Sequence, residues 1–367
     1  MKCLFVISSL AAGGAQRVVV DLTARLANAG HEIALITYSN PAHDHFQTPS
    51  RVKRITLSLL WDSHGVFETV RSSFSRVSIL RRAIREVDPD VIVSFIDLTN
   101  ILTLVSAIGL RIPVLVSERV HPRFHGIPVQ WRIARRLVYP LCNALVVQTS
   151  EIARWAKRVT IPSRVYVIPN AIPDRVWVTD SVREPIVLAV GRLHRQKGFD
   201  LLIDAFSESR LPEPWRLVIL GSGPEGPALQ KQALQRAISE RVSFPGEVHD
   251  PERWMARASF LVLSSRFEGF PNVLLEAIGA RAPIVAFDCP TGPADLLAYG
   301  GGILVKNGDV AALARAIARM ANDAKLREEL VEQGRAARDA FSQEKVMARW
   351  LNVLTAVSGA RGRSSSN

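Results

Sequence analysis

The sequence predicts an α/β protein of two domains, each a doubly wound, mainly parallel sheet with helices on both faces. Three observations carry that reading. The chain has 367 residues, too many for one ordinary α/β core and suited to two domains of about 150–200 residues each. Short apolar runs alternate with amphipathic segments along almost the whole chain, the pattern of repeated βα units. A polar connector containing Pro173, Asp174, Thr179, Asp180 and Pro185 interrupts the alternation near its middle and divides it into two series.

In the first series Lys2–Ser8, Glu32–Tyr38, Arg51–Leu59, Val91–Phe95, Pro113–Ser117, Ala144–Gln148 and Val165–Ile168 read as strands. The segment Met1–Ala15 superficially fits a signal peptide, with a lysine, an apolar stretch and small residues. A first core strand is the better reading, because a glycine pair and a helical pattern (Val18, Leu22, Leu26) follow at once, as a βα unit requires. In the second series Pro185–Val190, Trp215–Leu220, Val242–Phe244, Phe260–Leu263, Pro283–Phe287 and Gly302–Val305 read as strands. Helical patterns cover Phe199–Ser209, Leu229–Ile238, Val310–Asn322, Ala324–Phe341 and Gln343–Val357. The predicted organisation is therefore 1–172, 173–341, a last helix over 342–357, and a tail over 358–367 whose composition predicts disorder.

No apolar run reaches the roughly 18–20 residues needed to span a bilayer, so no transmembrane helix is expected. Cys3, Cys142 and Cys289 lie far apart, fit no metal or disulfide spacing, and read as small apolar fillers in a reducing compartment. The net charge of +12 is unevenly shared. Residues 1–171 hold 21 Lys and Arg against 11 Asp and Glu, and the remainder hold 25 against 23. In the first half, clusters at Arg71–Arg85 and Arg119–Arg136 interleave with Phe74, Ile79, Leu80, Phe124, Trp131, Ile133 and Leu137. Such stretches suit an anionic membrane surface or a phosphate-bearing partner, or serve as solvated helix faces.

In doubly wound sheets ligands collect at the carboxyl ends of strands, so the functional reading rests on the strand-end residues. After the first strand, Ser8–Arg17 carries Gly13-Gly14, which permits close backbone approach, and Arg17, a cation in the first turn of a helix, where an anionic partner would offset the dipole. Asp97 and Asn100 follow one strand, and Glu118-Arg119-Val120-His121-Pro122 another, bringing a carboxylate, a guanidinium and an imidazole to one edge. In the second half, Gly191-Arg192-Leu193-His194-Arg195-Gln196-Lys197-Gly198 places three cations within six residues, a plausible diphosphate clamp. Gly221-Ser222-Gly223-Pro224-Glu225-Gly226 matches G-x-G-x-x-G literally. It follows the second strand of its series rather than the first and carries prolines about the helix start, so it reads as an incidental match to the nicotinamide fingerprint. Finally, the strand ending at Leu263 leads through Ser264-Ser265 and a Gly269 turn to a helix opened by Pro271, with Glu268 and Glu276 on either side of its start. Unpaired N–H groups at Asn272, Val273 and Leu274 would suit a phosphate.

Taken together, Gly191-Arg192-x4-Lys197-Gly198, Glu268-x7-Glu276 with its Gly269-Phe270-Pro271 turn, the Ser9–Arg17 loop and Pro169-Asn170-Ala171 resemble the retaining glycosyltransferases of family 4. The resemblance covers roughly residues 1–357 and is nearest to bacterial enzymes extending lipid-linked or surface glycans. It implies the GT-B fold, two Rossmann-like domains facing across a cleft, with the last helix crossing back to the first domain. It also implies a nucleotide diphosphate sugar as substrate, UDP-linked by expectation, no cofactor and no metal.

By the same resemblance Arg192 and Lys197 bind the donor diphosphate and stabilise the leaving group as its charge develops. Glu276 takes the ribose hydroxyls. Glu268, Phe270, Pro271, Asn272 and Val273 hold the sugar and phosphate, Gly14 approaches the donor, and Gly246, Glu247 and Val248 seat the base. Arg17, Glu118, Arg119, His121 and Asn170 are the acceptor-side candidates, with Glu118 also a candidate for the chemistry. Family members usually carry a histidine near the end of the fifth strand; here His121 substitutes for it, or Glu118 and Arg119 do different work. The implied mechanism is front-face displacement with a donor phosphate oxygen taking the acceptor proton. The expected partners are a lipid-linked or oligosaccharide acceptor and an anionic membrane surface, with no nucleic acid, and the expected location is the cytoplasm, peripheral on the inner membrane face. A soluble acceptor, or epimerisation of the nucleotide sugar by the same fold, are the alternatives.

Overall fold

The computed structural model describes residues 1–11, 13–57, 66–123, 126–174 and 182–364, without the side chains of 43, 66–73 and 360–364. Each of the thirteen predicted strands has a counterpart. β1 (Lys2–Ile7), β2 (Glu32–Thr37), β3 (Lys53–Thr56), β4 (Val91–Phe95), β5 (Val114–Ser117), β6 (Ala144–Val147) and β7 (Val165–Val167) form one sheet of order β3-β2-β1-β4-β5-β6-β7. β8 (Glu184–Val190), β9 (Arg216–Leu220), β10 (Val242–Gly246), β11 (Ala258–Leu263), β12 (Ile284–Asp288) and β13 (Gly302–Lys306) form a second, of order β10-β9-β8-β11-β12-β13. All neighbouring strands are parallel.

Parallel strands covered on both faces need near-continuous apolar sequence. β1 meets that requirement, since Cys3 through Ile7 are fully buried in the interior of the first sheet. The winding direction reverses between β1 and β4 and again between β8 and β11, and such switch points open the crevices where ligands sit. The third strand is shorter than Arg51–Leu59, and positions 58 and 59 lie outside the described residues, as do Thr179 and Asp180 of the connector.

The chain forms two compact units, Met1–Ile168 with Met347–Asn367, and Pro169–Val346. Both crossings fall four or five residues from the predicted boundaries, because Ile172 belongs to the second core. It is buried there, its N–H donates to the Phe341 carbonyl at 2.9 Å, and its own carbonyl accepts from Gln343 Nε2 at 2.8 Å. The last helix, Gln343–Ser364, returns to the first unit as predicted: the Trp350 ring stacks on Phe95, with centroids 6.1 Å apart. The Arg119 guanidinium lies 5.2 Å from the Phe95 ring and 5.9 Å from Trp350, so buried that its pKa falls to about 9. The helix runs on to Ser364 where a disordered tail from 358 was expected; positions 365–367 lie outside the described residues. Among the described residues no helix is long and apolar enough to cross a membrane.

Candidate active site

The switch point of the second sheet gathers the charged residues. β8 ends at Val190, and its loop closes in a short 3-10 turn, Arg195–Lys197, whose N-cap is His194. β11 ends at Leu263, and the two loops are then joined residue by residue. Ser264 Oγ donates to the Lys197 carbonyl at 2.9 Å, Arg266 N–H to the Gln196 carbonyl at 2.8 Å, and Gln196 Nε2 to the Phe267 carbonyl at 3.0 Å. Arg266 also forks onto Asp200 at 2.8 and 2.6 Å. Burial pushes the Asp200 carboxyl up, but the hydrogen bonds and charge of Arg266 outweigh it and leave the group below its ordinary range.

At the centre Lys197 Nζ sits 2.7 Å from Glu268 Oε1, which also accepts from Ser265 Oγ at 2.6 Å. Glu268 is 6 % exposed and the Lys197 side chain 18 %, so the carboxylate is enclosed while the ammonium still reaches the surface. Arg192, on the same loop as Lys197, is exposed.

Backbone contact holds the loops at this distance. Gly198 has φ +63°, and a Cβ there would lie 2.1 Å from the Ser264 carbonyl oxygen. Gly221 and Gly223 abut the carbonyls of Gly191 and Leu193, which a Cβ would approach to 2.0 and 2.4 Å. The literal G-x-G-x-x-G is thereby accounted for by loop-on-loop packing against residues 191–193.

The helix after the Gly269 turn covers Asn272–Gly279, with Pro271 at its N-cap. Leu274 N–H already donates to the Pro271 carbonyl at 2.9 Å, so it is not among the free donors expected at this helix start. Phe270, Pro271 and Val273 are buried, while Glu276 is half-buried. Asn170 belongs to this second unit, where its Nδ2 donates to Asn272 Oδ1 at 2.5 Å, rather than to the first unit with the other acceptor-side candidates. Gly246, at the end of β10, accepts from Gly221 N–H at 2.8 Å; Glu247 accepts from Ser222 Oγ at 2.5 Å, and Val248 packs against the core.

Sequence reasoning missed the loop after β12. Thr291 Oγ1 donates to the Glu268 carbonyl, Glu268 N–H donates to the Pro290 carbonyl at 3.0 Å, and Gly292 packs so tightly on Pro271 that a Cβ would fall 2.3 Å from its Cδ. Thr291 holds φ +67°, an uncommon conformation for a β-branched residue. Thr291-Gly292-Pro293 at a strand end was the available signal. Ser265 was missed as well. Cys289, next to this loop, is a buried thiol pushed up to about 12 by burial and by Glu268, which keeps it a neutral filler.

In the first unit Arg17 is half-buried in the first turn of helix Gly14–Asn28, whose Gly14 is exposed. Glu118, expected at a substrate-facing edge, instead points inward. It is 3 % exposed, accepts from the Tyr139 hydroxyl and lies 4.0 Å from Arg135 Nη1. Asn100 Nδ2 in turn donates to Tyr139 Oη and to the Ser117 carbonyl, each at 3.2 Å. His121 is buried; its Nδ1 accepts from Arg123 N–H at 3.1 Å and its Nε2 lies 4.0 Å from Glu151. Burial lowers its pKa against the opposing pull of Glu151. Phe124 lies outside the described residues. Among the described residues no group of three or more His, Cys, Asp or Glu is placed to hold a metal.

Comparison with known proteins finds relatives along nearly the whole chain. The model of glycosyl transferases group 1 matches residues 177–337, and that of glycosyltransferase family 4 matches residues 12–175. The chain is 29 % identical over 364 residues (98 % of this chain, 100 % of the relative) to the Campylobacter jejuni GalNAc-alpha-(1->4)-GalNAc-alpha-(1->3)-diNAcBac-PP-undecaprenol alpha-1,4-N-acetyl-D-galactosaminyltransferase. It is 23 % identical to the amylovoran biosynthesis glycosyltransferase AmsD of Erwinia amylovora, over 96 % of this chain and 99 % of the relative. Among solved structures, Anabaena HepE in complex with UDP superposes with TM-score 0.80 at 18 % identity, covering 97 % of this chain and 100 % of that one. The lipopolysaccharide outer core galactosyltransferase WaaB in its apo form gives 0.77 at 17 %, covering 97 % and 99 %.

Proposed function

The chain is a glycosyltransferase of the GT-B fold, related to the group 1 and family 4 transferases, and from that premise we propose that it is a metal-independent, retaining enzyme. It moves a hexose or N-acetylhexosamine from a nucleotide diphosphate sugar, UDP-linked, to a lipid-linked or surface glycan at the inner face of the cytoplasmic membrane. The observation that carries this reading is the Lys197–Glu268 pair at the second switch point, with Arg192 exposed on the same loop as Lys197. A diphosphate leaving group gains charge in the transition state, and cations already in position stabilise that charge without reorganisation. Glu268 fixes the direction of the ammonium. Because its Oε1 is shared by Lys197 and Ser265, Oε2 is the oxygen offered to the donor sugar. Glu276 takes the ribose, and the backbone at Gly246–Val248 takes the base. The names of the relatives, one acting on an undecaprenol-linked glycan and the other in amylovoran biosynthesis, support the acceptor class.

Retention follows if a donor phosphate oxygen accepts the acceptor proton on the face the leaving group departs from, so no side-chain base is assigned. The inward orientation of Glu118 fits that reading, and the acceptor is assigned to the first domain, with the half-buried Arg17 as its candidate contact. The test is transfer of labelled sugar from UDP-, GDP- and ADP-sugars to a bacterial lipid extract in the presence of EDTA. Label should enter the lipid fraction from one donor class with the anomeric configuration kept. Epimerised donor without transfer, or activity that appears only on adding a divalent metal, overturns the proposal.

A further inference from the structure

Helix Val129–Val138 and the following turn Tyr139–Leu141 turn an apolar stripe outward. Val129, Ile133, Leu137 and Leu141 are 57, 56, 70 and 53 % exposed. Spaced four apart, they line one face of the helix, with the exposed Arg132 and Arg136 alongside. Residues 119–150 contain five arginines and no acidic residue. The inner face pins the helix, so it cannot roll to hide the stripe. There Arg135 is buried 5.0 Å over the Trp155 ring and beside Glu118, and Tyr139 is fully buried with its hydroxyl on Glu118.

We propose that this face docks on an anionic bilayer, with Ile133 and Leu137 entering the headgroup–acyl boundary and Arg132 and Arg136 on lipid phosphates. An aliphatic ridge with exposed Arg132 and Arg136 alongside, in a sequence stretch without acidic residues, is complementary to such a surface. The inference rests on the reading of a lipid-linked acceptor and names the element that brings the enzyme to it. Helix Val66–Val87 is the weaker rival: its described exposed apolar residues Phe74 and Ile79 stand five apart, about 140° around the helix.

The experiment is co-sedimentation of the full chain with phosphatidylcholine vesicles containing or lacking phosphatidylglycerol. Wild type should bind only the anionic vesicles. The doubly substituted Ile133→Ser, Leu137→Ser chain should bind them at least about tenfold more weakly, with an unchanged urea midpoint because both side chains are already exposed, while Phe74→Ser should bind as wild type does. Equal binding by wild type and the double variant overturns the docking assignment. So does a wild type that ignores anionic vesicles and forms a dimer that the double substitution dissociates. Sugar transfer to lipid extract in detergent separates the two readings. Retained transfer without vesicle binding removes only the docking surface, whereas absence of transfer removes the proposed function.

Discussion

Arg192 and Lys197 carry the same charge at the same strand end, yet the structure gives their replacements different signatures. Arg192→Ala removes an exposed cation, so kcat/KM should fall by about 10²–10³ while the melting temperature stays put. Lys197→Ala should lose comparable activity and also leave the enclosed Glu268 carboxylate without its counter-charge, a cost of about 1–3 kcal/mol visible in urea melts. Equal melting curves for the two variants would remove the pairing from the site. His121 gives a pH-dependent effect. Burial holds its pKa below the unfolded value of 6.5, so the folded chain binds that proton less readily. Its contribution to stability is complete above about pH 6.5 and is lost as pH falls through the lower folded value. His121→Gln should therefore flatten the acid side of the stability profile, as measured by urea melts from pH 7.5 down to 5. At this scale the sequence offered candidates but not which of them meet: Lys197 and Glu268 are 71 positions apart, and no local pattern links them. Glu118 misled because a strand-end carboxylate reads the same whether it faces solvent or Tyr139.

Elements were more legible, for a physical reason. Parallel strands buried on both faces appear as uninterrupted apolar runs, and each of the thirteen was found to within a few residues. Ends were less certain where tertiary contact decides them, as at Ile172, which the second core captures, and in the last helix, which outruns its apolar pattern to reach Ser364. That helix supplies Trp350, 2 % exposed, to the ring stack with Phe95 and Arg119. Trp350→Ala should cost about 3–5 kcal/mol, and hydrogen exchange should show β4 deprotected before any strand of the second unit. Uniform loss of protection across both units would mean the helix is not held by the first.

The molecule as a whole repeats one plan, two sheets of the same winding order, and the proposed donor site lies at the switch point of the second. The duplication is invisible as sequence repetition because only the alternation is shared, and the literal dinucleotide fingerprint fell on a packing junction. Addition of NADH should therefore leave the melting temperature unchanged, whereas UDP should raise it in proportion to the logarithm of its concentration once saturating; a shift with NADH would restore the discarded reading. The junction itself has a practical consequence for anyone seeking to change the sugar this enzyme takes. Gly198, Gly221, Gly223 and Gly292 each let one loop touch the backbone or the proline ring of another, leaving no room for a methyl group. Segments 191–198, 221–226, 264–271 and 288–292 are in effect a single interchangeable cartridge. A specificity graft that transplants one of them alone should misfold the pocket, while the four moved together should travel intact.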